Sequence, residues 1–434
     1  MLCITALVGC GGSDDGGAPG PGSGAGNAGS SGSVAASGSG SGGAGASSGG
    51  SSGGGAGAVA GGTGGAGGSF SAGSGGTAGT AGSTAGSAGT AGMAPSGVPF
   101  VYVGSTNNQI SIYKLDAASG QLSAVKSVAA GNTPSFLAFD PSYTHLYAVN
   151  EGDAKVAAFS IDGKTGDLTF LNRVDSGGDG PAHVAVDRSG KYVMVANYSG
   201  GSVRLFPIAG NGSLGAPSDT KATGKNAHMI ATDPANKFAF VANLGSNTVS
   251  QYVFDATTGK LTANAVPSIA TAAGAGPRHF GFHPNGKLAY LINETNDTLA
   301  AYSYDGALGQ LKFIEALSTL PNGTNGANNS CAEIAFAPSG KYVYGSNRGH
   351  DSIVTFSIDT TTGKLGFIGT TPSGGQVPRH FSLSPDGKTM IVANESGNLS
   401  TFAVDGVSGA LSKQKSLDVT PKPQFVGIAL LAGG

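Results

Sequence analysis

Tryptophan is absent from the 434 residues, cysteine occurs three times, and only 11% of the chain is charged. Each shortage excludes something. Without Trp there is no Trp-Asp signature of WD40 repeats. Cys3, Cys10 and Cys331 stand too far apart for a disulfide framework or a zinc spacing. No apolar run approaches the roughly 18 residues that a membrane-spanning helix needs. Lys and Arg total 23 against 25 Asp and Glu, and two of those acids, Asp14 and Asp15, lie in the first hundred residues, so the remainder is neutral. A neutral domain lacks the electrostatic footprint of a nucleic-acid-binding protein.

Glycine is in excess instead, with 78 residues that crowd the first hundred positions. From Gly11 onward the chain is nearly all Gly, Ser, Ala and Thr. Such a stretch cannot bury enough apolar surface to offset its conformational entropy. Residues 11–97 are therefore expected to be a disordered linker with a span on the order of 50 Å, and 98–434 the folded domain. Ahead of the linker, Leu7-Val8-Gly9-Cys10 closes a short apolar stretch and resembles a bacterial lipobox, in which the Cys is acylated and becomes the mature N-terminus. This predicts a signal over residues 1–10, export, and a lipid anchor on Cys10 at a bacterial membrane, periplasmic or cell-surface. With Cys3 removed and Cys10 acylated, Cys331 is left as a small buried residue.

Internal repeats then decide the fold. Six segments open at Pro134, Pro181, Ala227, Pro277, Cys331 and Pro378, about 50 residues apart. Each begins with a short strand, as in His279-Phe280-Gly281-Phe282, followed by turn chemistry such as His283-Pro284-Asn285-Gly286 or Ser384-Pro385-Asp386-Gly387. A second strand follows and usually ends in Asn. A third alternates apolar and polar residues, as in Ser352–Ile358, and a Thr-Gly-Lys-Leu type turn leads to a fourth. Four antiparallel strands per repeat make a β-propeller blade. Val101–Lys126 supplies three strands without a first, and Gln424–Leu430 a first without the rest. Together they complete a seventh blade, so the expectation is an all-β, seven-bladed β-propeller closed by pairing its ends.

In a blade the first strand lines the channel, and its start lies beside the end of the second strand. The residues at those places share one face. The expected ring near the start of the openings reads Phe136, His183, His228, His279, Glu333, His380 and Phe425, preceded in two blades by Arg278 and Arg379. The second strands end in Asn150, Asn197, Asn243, Asn293, Asn347 and Asn394, followed by Glu151, Tyr198, Leu244, Glu294, Arg348 and Glu395. Six-fold recurrence makes the asparagines an architectural device. The His, Arg and Glu positions vary between blades, which is where function departs from architecture. No element carries a metal-ligand spacing, so neither metal nor cofactor is expected.

The run Pro277-Arg278-His279-Phe280-Gly281-Phe282-His283-Pro284-Asn285-Gly286, with Asn293-Glu294 and Ser346-Asn347-Arg348-Gly349-His350-Asp351, resembles the seven-bladed lactonase family, which includes propeller-type 6-phosphogluconolactonases and carboxymuconate lactonizing enzymes. The resemblance implies catalytic roles for His228, Arg278, Glu294 and Arg348. His183, His279, Glu333, His350, Arg379 and His380 are then expected to contact substrate. Guanidinium groups suit the negative charge that a lactone carbonyl gains on attack, and Glu294 or His228 could activate water. The arginines are expected across the pocket from the carboxylate. Export argues for an unphosphorylated sugar-acid or dicarboxylic lactone, because phosphorylated sugar intermediates belong to the cytoplasm. The domain is expected to act as a monomer on a small-molecule lactone. The competing expectation is a surface-tethered propeller that binds at its channel mouth without turnover.

Overall fold

The computed structural model describes residues 97–419 and 422–432. The signal, Cys10 and residues 11–96 of the linker lie outside the described residues. Among those described, 28 strands form seven four-stranded antiparallel sheets, so the seven-bladed propeller is borne out. The seven innermost strands are Pro134–Phe139, Pro181–Val186, Ala227–Thr232, Pro277–Phe282, Ser330–Phe336, Pro378–Leu383 and Pro423–Leu431, numbered below as blades 1 to 7. Blade 7 is the split one. Its innermost strand, from the C-terminal end, pairs antiparallel with Val98–Ser105, with Val101 opposite Ile428 and Gly104 opposite Phe425.

The hydrophobic core is distributed between blades. Seven apolar clusters recur around the ring, and the one joining blades 7 and 1 contains Phe100, Tyr102, Ile110, Leu137, Leu146, Phe159 and Leu431. The alternation of the second and third strands produces this, since each buried strand shows one set of side chains to each neighbouring blade. A polar tie recurs beside it. Tyr102, Tyr147, Tyr290 and Tyr344 of the second strands donate hydroxyl bonds to the backbone oxygens of Gly166, Gly212, Gly363 and Gly409 in the next blade. Gly166 adopts φ +75°, and a Cβ there would fall 2.3 Å from the Phe100 ring, so the turn requires glycine on both counts.

The asparagine ring is architectural. Asn150 and Asn347 donate through Nδ2 to the backbone oxygens of Ala130 and Thr319, which lie on the crossover from the preceding blade. In these blades the Asn fastens the entry from the preceding blade to the second strand.

The innermost strands share a further feature that the sequence does not mark. In six of them the register with the neighbouring strand slips by a residue at the opening, for example between Pro277 and His279 or between Ala227 and Met229. The slipped residue is Ser135, Ala182, His228, Arg278, Arg379 or Gln424. A bulge of this kind re-aims a side chain at the rim of a sheet. Blade 5 has a wider slip, with Cys331 opposite Asn347 and Ile334 opposite Gly345, and places Ala332 and Glu333 there.

Candidate active site

Register corrects the expected ring. Met229, not His228, takes the ring position in blade 3, and its Sδ accepts the Phe280 backbone N–H at 3.2 Å. The ring is Phe136, His183, Met229, His279, Glu333, His380 and Phe425. Phe136 sits among the others, with its centroid 4.4 Å from His183, 5.6 Å from His279, 5.3 Å from His380 and 4.8 Å from Phe425. Beneath this layer a cavity of about 440 Å³ extends to the hairpins at Pro284, Pro338 and Pro385, walled by Leu137, Val184, Phe280, Ile334 and Phe381.

Glu333 organises the ring electrostatically. His279 Nδ1 and His380 Nε2 lie 2.9 and 3.1 Å from Glu333 Oε2. The Val426 backbone N–H reaches His380 Nδ1 at 3.4 Å, which makes Nδ1 an acceptor and leaves the proton on Nε2, toward Glu333. Glu333 Oε1 accepts the Ile334 N–H. Burial pushes the Glu333 carboxyl up and holds His183 and His279 well below the usual imidazole range. His380 falls to about 4, burial again being the main cause.

Immediately above, the bulge residues meet the residues after the second strands. Arg278 Nε is 2.9 Å from Glu294 Oε2, and Arg348 carries a terminal nitrogen 3.0 Å from Glu294 Oε1. One carboxylate therefore holds an arginine on each oxygen. The arginines were expected across from Glu294, and they grip it instead, because blade 5 delivers Arg348 to the same place that the blade 4 bulge delivers Arg278. Both are also anchored to backbone, Arg278 to the Ala332 oxygen at 2.7 Å and Arg348 to the Cys331 oxygen at 2.9 Å. Cys331 itself is fully buried and its thiol is pushed up by that burial.

Arg278 is only 3% exposed, and burial draws its guanidinium down to about 10. Burial alone would raise Glu294, but Arg348 and Arg278 outweigh it and hold the carboxyl below its usual range. His228 packs edge-on against Tyr198 and against His279, with centroids at 5.6 and 5.0 Å. Burial and then Arg278 lower its pKa strongly, so the ring is neutral, and its Nδ1 has no hydrogen-bond partner.

Most of the expected residues thus converge. Arg379 stands off this group, paired with Glu395 at 3.4 Å. His350 lies apart on an exposed turn, with hydrogen-bond contacts to Ser352 Oγ and Asn329 Oδ1. Tyr198, Glu395 and Met229 were not assigned a role from sequence, although repeat alignment puts each at a position already singled out. Among the described residues no cluster of His, Cys, Asp and Glu is arranged to hold a metal ion.

Comparison with known proteins agrees with this architecture. The family model of the lactonases with a seven-bladed β-propeller matches residues 100–428. The 6-phosphogluconolactonase of Bacillus subtilis is 32% identical over 338 residues, spanning 75% of this chain and 95% of its own length. That of Formosa agariphila is 32% identical over 340 residues, spanning 72% and 94%. The periplasmic gluconolactonase of Pseudomonas aeruginosa superposes with a TM-score of 0.72 at 26% identity, covering 77% of this chain and 99% of that one.

Proposed function

The chain belongs to the lactonase family of seven-bladed β-propellers, and on that premise we propose that it hydrolyses lactones at the channel mouth, on the Arg278–Glu294–Arg348 bridge beside His228. The observation that carries this reading is one carboxylate holding two arginines next to a buried neutral imidazole with an unpartnered nitrogen.

The chemistry assigns the roles. Water adds to the lactone carbonyl carbon, and the carbonyl oxygen takes up the negative charge. Guanidinium N–H groups removed from bulk water stabilise that charge far more than exposed ones would. Glu294, pulled below its usual range by two cations, is a weak proton acceptor; its part is to hold both forks in place. His228 is neutral and takes the proton of the attacking water. As the ring C–O bond breaks, the imidazolium returns that proton to the departing ring oxygen. Lactone and water thus become one hydroxy acid, which ionises in solution. The unpartnered Nδ1 of His228 supports it over the doubly ion-paired Glu294 as base, with an acid–base contribution of about 10²–10⁴-fold.

Export and a lipid anchor on Cys10 complete the proposal, supported by the lipobox-like Leu7–Cys10 and by the likeness to a periplasmic gluconolactonase. An exported enzyme meets unphosphorylated sugar-acid or dicarboxylic lactones. The full chain, assayed by pH-stat against a lactone panel, should release acid from at least one of them. Absence of any release, together with binding of an acidic sugar that Arg278→Lys weakens, would replace the enzyme with a binding propeller. Membrane fractionation tests the anchor, since Cys10→Ala should release the protein or block its processing.

A further inference from the structure

The cavity of about 440 Å³ beneath the ring is separate from the candidate active site, since none of His228, Arg278, Glu294 and Arg348 lines it. It follows the innermost strands to the hairpins of the opposite face, where Pro338 is exposed. Its volume is in the range of small-molecule sites. The walls are apolar, with Ala138, Val186, Ala231, Phe282, Ala335 and Leu383 contributed by blades 1 to 6. All of these except Phe282 are only partly buried, although each stands on the innermost strand of its blade. Apolar surface left uncovered in a concave space marks a place where a ligand can complete the burial.

One residue breaks this lining. In the hairpin that follows the innermost strand, blades 1, 3, 4, 5 and 6 carry Pro141, Pro234, Pro284, Pro338 and Pro385, and blade 2 carries Arg188. Proline pre-sets the turn at that place, so the arginine does not serve the turn. Arg188 is the one permanent cation among the lining residues. It is half-buried, and burial draws its guanidinium down, so the charge has lost part of its hydration. Asp233 acts on it as an opposite charge. That carboxylate is already held by the N–H groups of Ala235, Lys237 and Phe238 and by the Tyr304 hydroxyl, and it does not line the cavity.

The two ends therefore differ in charge. Glu333 is the only acid in the lining and lies at the inner end, against His279 and His380. An anionic head is drawn to the Arg188 end and repelled from the Glu333 end. Five residues separate His183 in the ring from Arg188 at the mouth, roughly 15 Å at the rise of a strand. An extended medium-chain fatty acid has that length.

We propose that the channel below the ring is a second binding site, entered from the hairpin face, for a medium-chain aliphatic carboxylate. Its head lies at Arg188 and its chain runs inward along the innermost strands. The site is independent of the lactonase reading.

Isothermal titration calorimetry of the full chain with hexanoate, octanoate and decanoate tests this, beside 1-octanol, which has an uncharged head. One molecule should bind per chain, about three- to fourfold more tightly for each further CH₂. Octanoate should bind about tenfold more tightly than 1-octanol. Arg188→Gln should abolish that preference and leave 1-octanol binding and any lactone turnover unchanged. Ala231→Phe fills the channel and should abolish binding of both; should it fail to fold, Arg188→Gln and the chain-length series decide. Arg278→Lys should leave octanoate binding as it is, and a loss there would put the carboxylate on the other face and overturn the site. No octanoate binding, an affinity independent of chain length, or equal affinity in wild type and Arg188→Gln also overturns it. 1-Octanol bound as tightly as octanoate overturns the anionic class. Calorimetry reads no turnover, so these outcomes stand apart from whether any lactone is hydrolysed.

Discussion

Blades 4 and 6 carry the same motif and make different things of it. Pro277-Arg278-His279-Phe280 leads to Asn293-Glu294, and Pro378-Arg379-His380-Phe381 leads to Asn394-Glu395. In both, the bulged arginine reaches the acid that follows the second strand. In blade 4 the contact is 2.9 Å with an arginine 3% exposed, and in blade 6 it is 3.4 Å with both side chains about 19% exposed. The cause lies one blade further on. Blade 5 supplies the Ala332 oxygen to Arg278 and Arg348 to Glu294. Blade 7 places Gln424 and Thr106 at the equivalent positions. A repeat fixes where a side chain stands, and the neighbouring blade decides whether it becomes a reactive group or a rim pair.

The difference can be broken at the acids. Glu294→Gln leaves Arg278 buried with half its pairing gone, and loss of one partner of a buried pair costs about 3–5 kcal/mol. Turnover should fall at least 10²-fold, because both forks lose their anchor. Glu395→Gln should cost no more than about 1 kcal/mol and leave lactone turnover within a few-fold. Thermal unfolding and kcat/KM of the two variants measure the contrast. Equal losses in both would show that blade 4 has no privileged place.

Arg348→Thr removes what blade 5 adds and makes Glu294 resemble Glu395. Loss of one oxyanion donor is worth about 10²–10³-fold in kcat, with Arg278 and its Ala332 contact retained. Removing that cation also takes away one of the two charges that lower Glu294, so the Glu294 carboxyl titrates at higher pH. A titration of the carboxyl by infrared absorption should register the upward shift.

The histidines under both pairs make the domain acid-labile in a defined window. His183, His228 and His279 are held well below the imidazole range and His380 is drawn to about 4. The unfolded chain takes up these protons near pH 6.5, while the folded chain resists them until lower pH. Between those values the unfolded state binds more protons, so stability is complete above about pH 6.5 and drains as pH falls toward 4. His380 alone is worth on the order of 3 kcal/mol by this reckoning. Glu294, lowered in the fold, adds in the same direction below the ordinary carboxylate pKa. Glu333, raised by burial, works the opposite way: its contribution is present below its unfolded pKa and is lost as pH rises through the folded one. Urea midpoints between pH 8 and 4 should fall on acidification, less steeply in His380→Gln. A midpoint flat over that range would contradict the neutral ring.

How much of this was legible differs between fold and site. Blade count and closure were readable because hairpin turns, alternation and the Asn endings repeat along the chain. The fragments Val101–Lys126 and Gln424–Leu430 could be counted as one blade from what each lacked, and the pairing of Val101 with Ile428 is that closure. The site residues were legible as a set, because they break the repeat on one face. Their mutual arrangement was not. His228 stands second from its opening at Ala227, level with Arg278 and Arg379, so a strict count would have put Met229 in the ring, although the register slip that lifts these second residues to the rim is not marked by residue type. Arg348 on Glu294 is a contact between blades, set by packing rather than by spacing.

The smallest expected effect sharpens the comparison from the other side. Thr106→Arg gives blade 7 the residue that blade 5 has, and offers Glu395 a second guanidinium. If a second arginine were enough to make an acid pair reactive, this variant would gain a centre. Two differences argue against it. Arg379 is several times more exposed than Arg278, while the two acids are exposed alike, so a new long side chain at that wetter rim works against water and side-chain entropy, for a gain under about 1 kcal/mol. No counterpart of His228 stands beside it either: the bulge position of blade 5, which precedes blade 6 as blade 3 precedes blade 4, is Ala332. Thr106→Arg should therefore shift the thermal midpoint by no more than a degree or two and leave kcat unchanged. A clear rise in kcat would mean that the arginine pair carries the reaction without a neighbouring imidazole, and that the base assigned to His228 is dispensable.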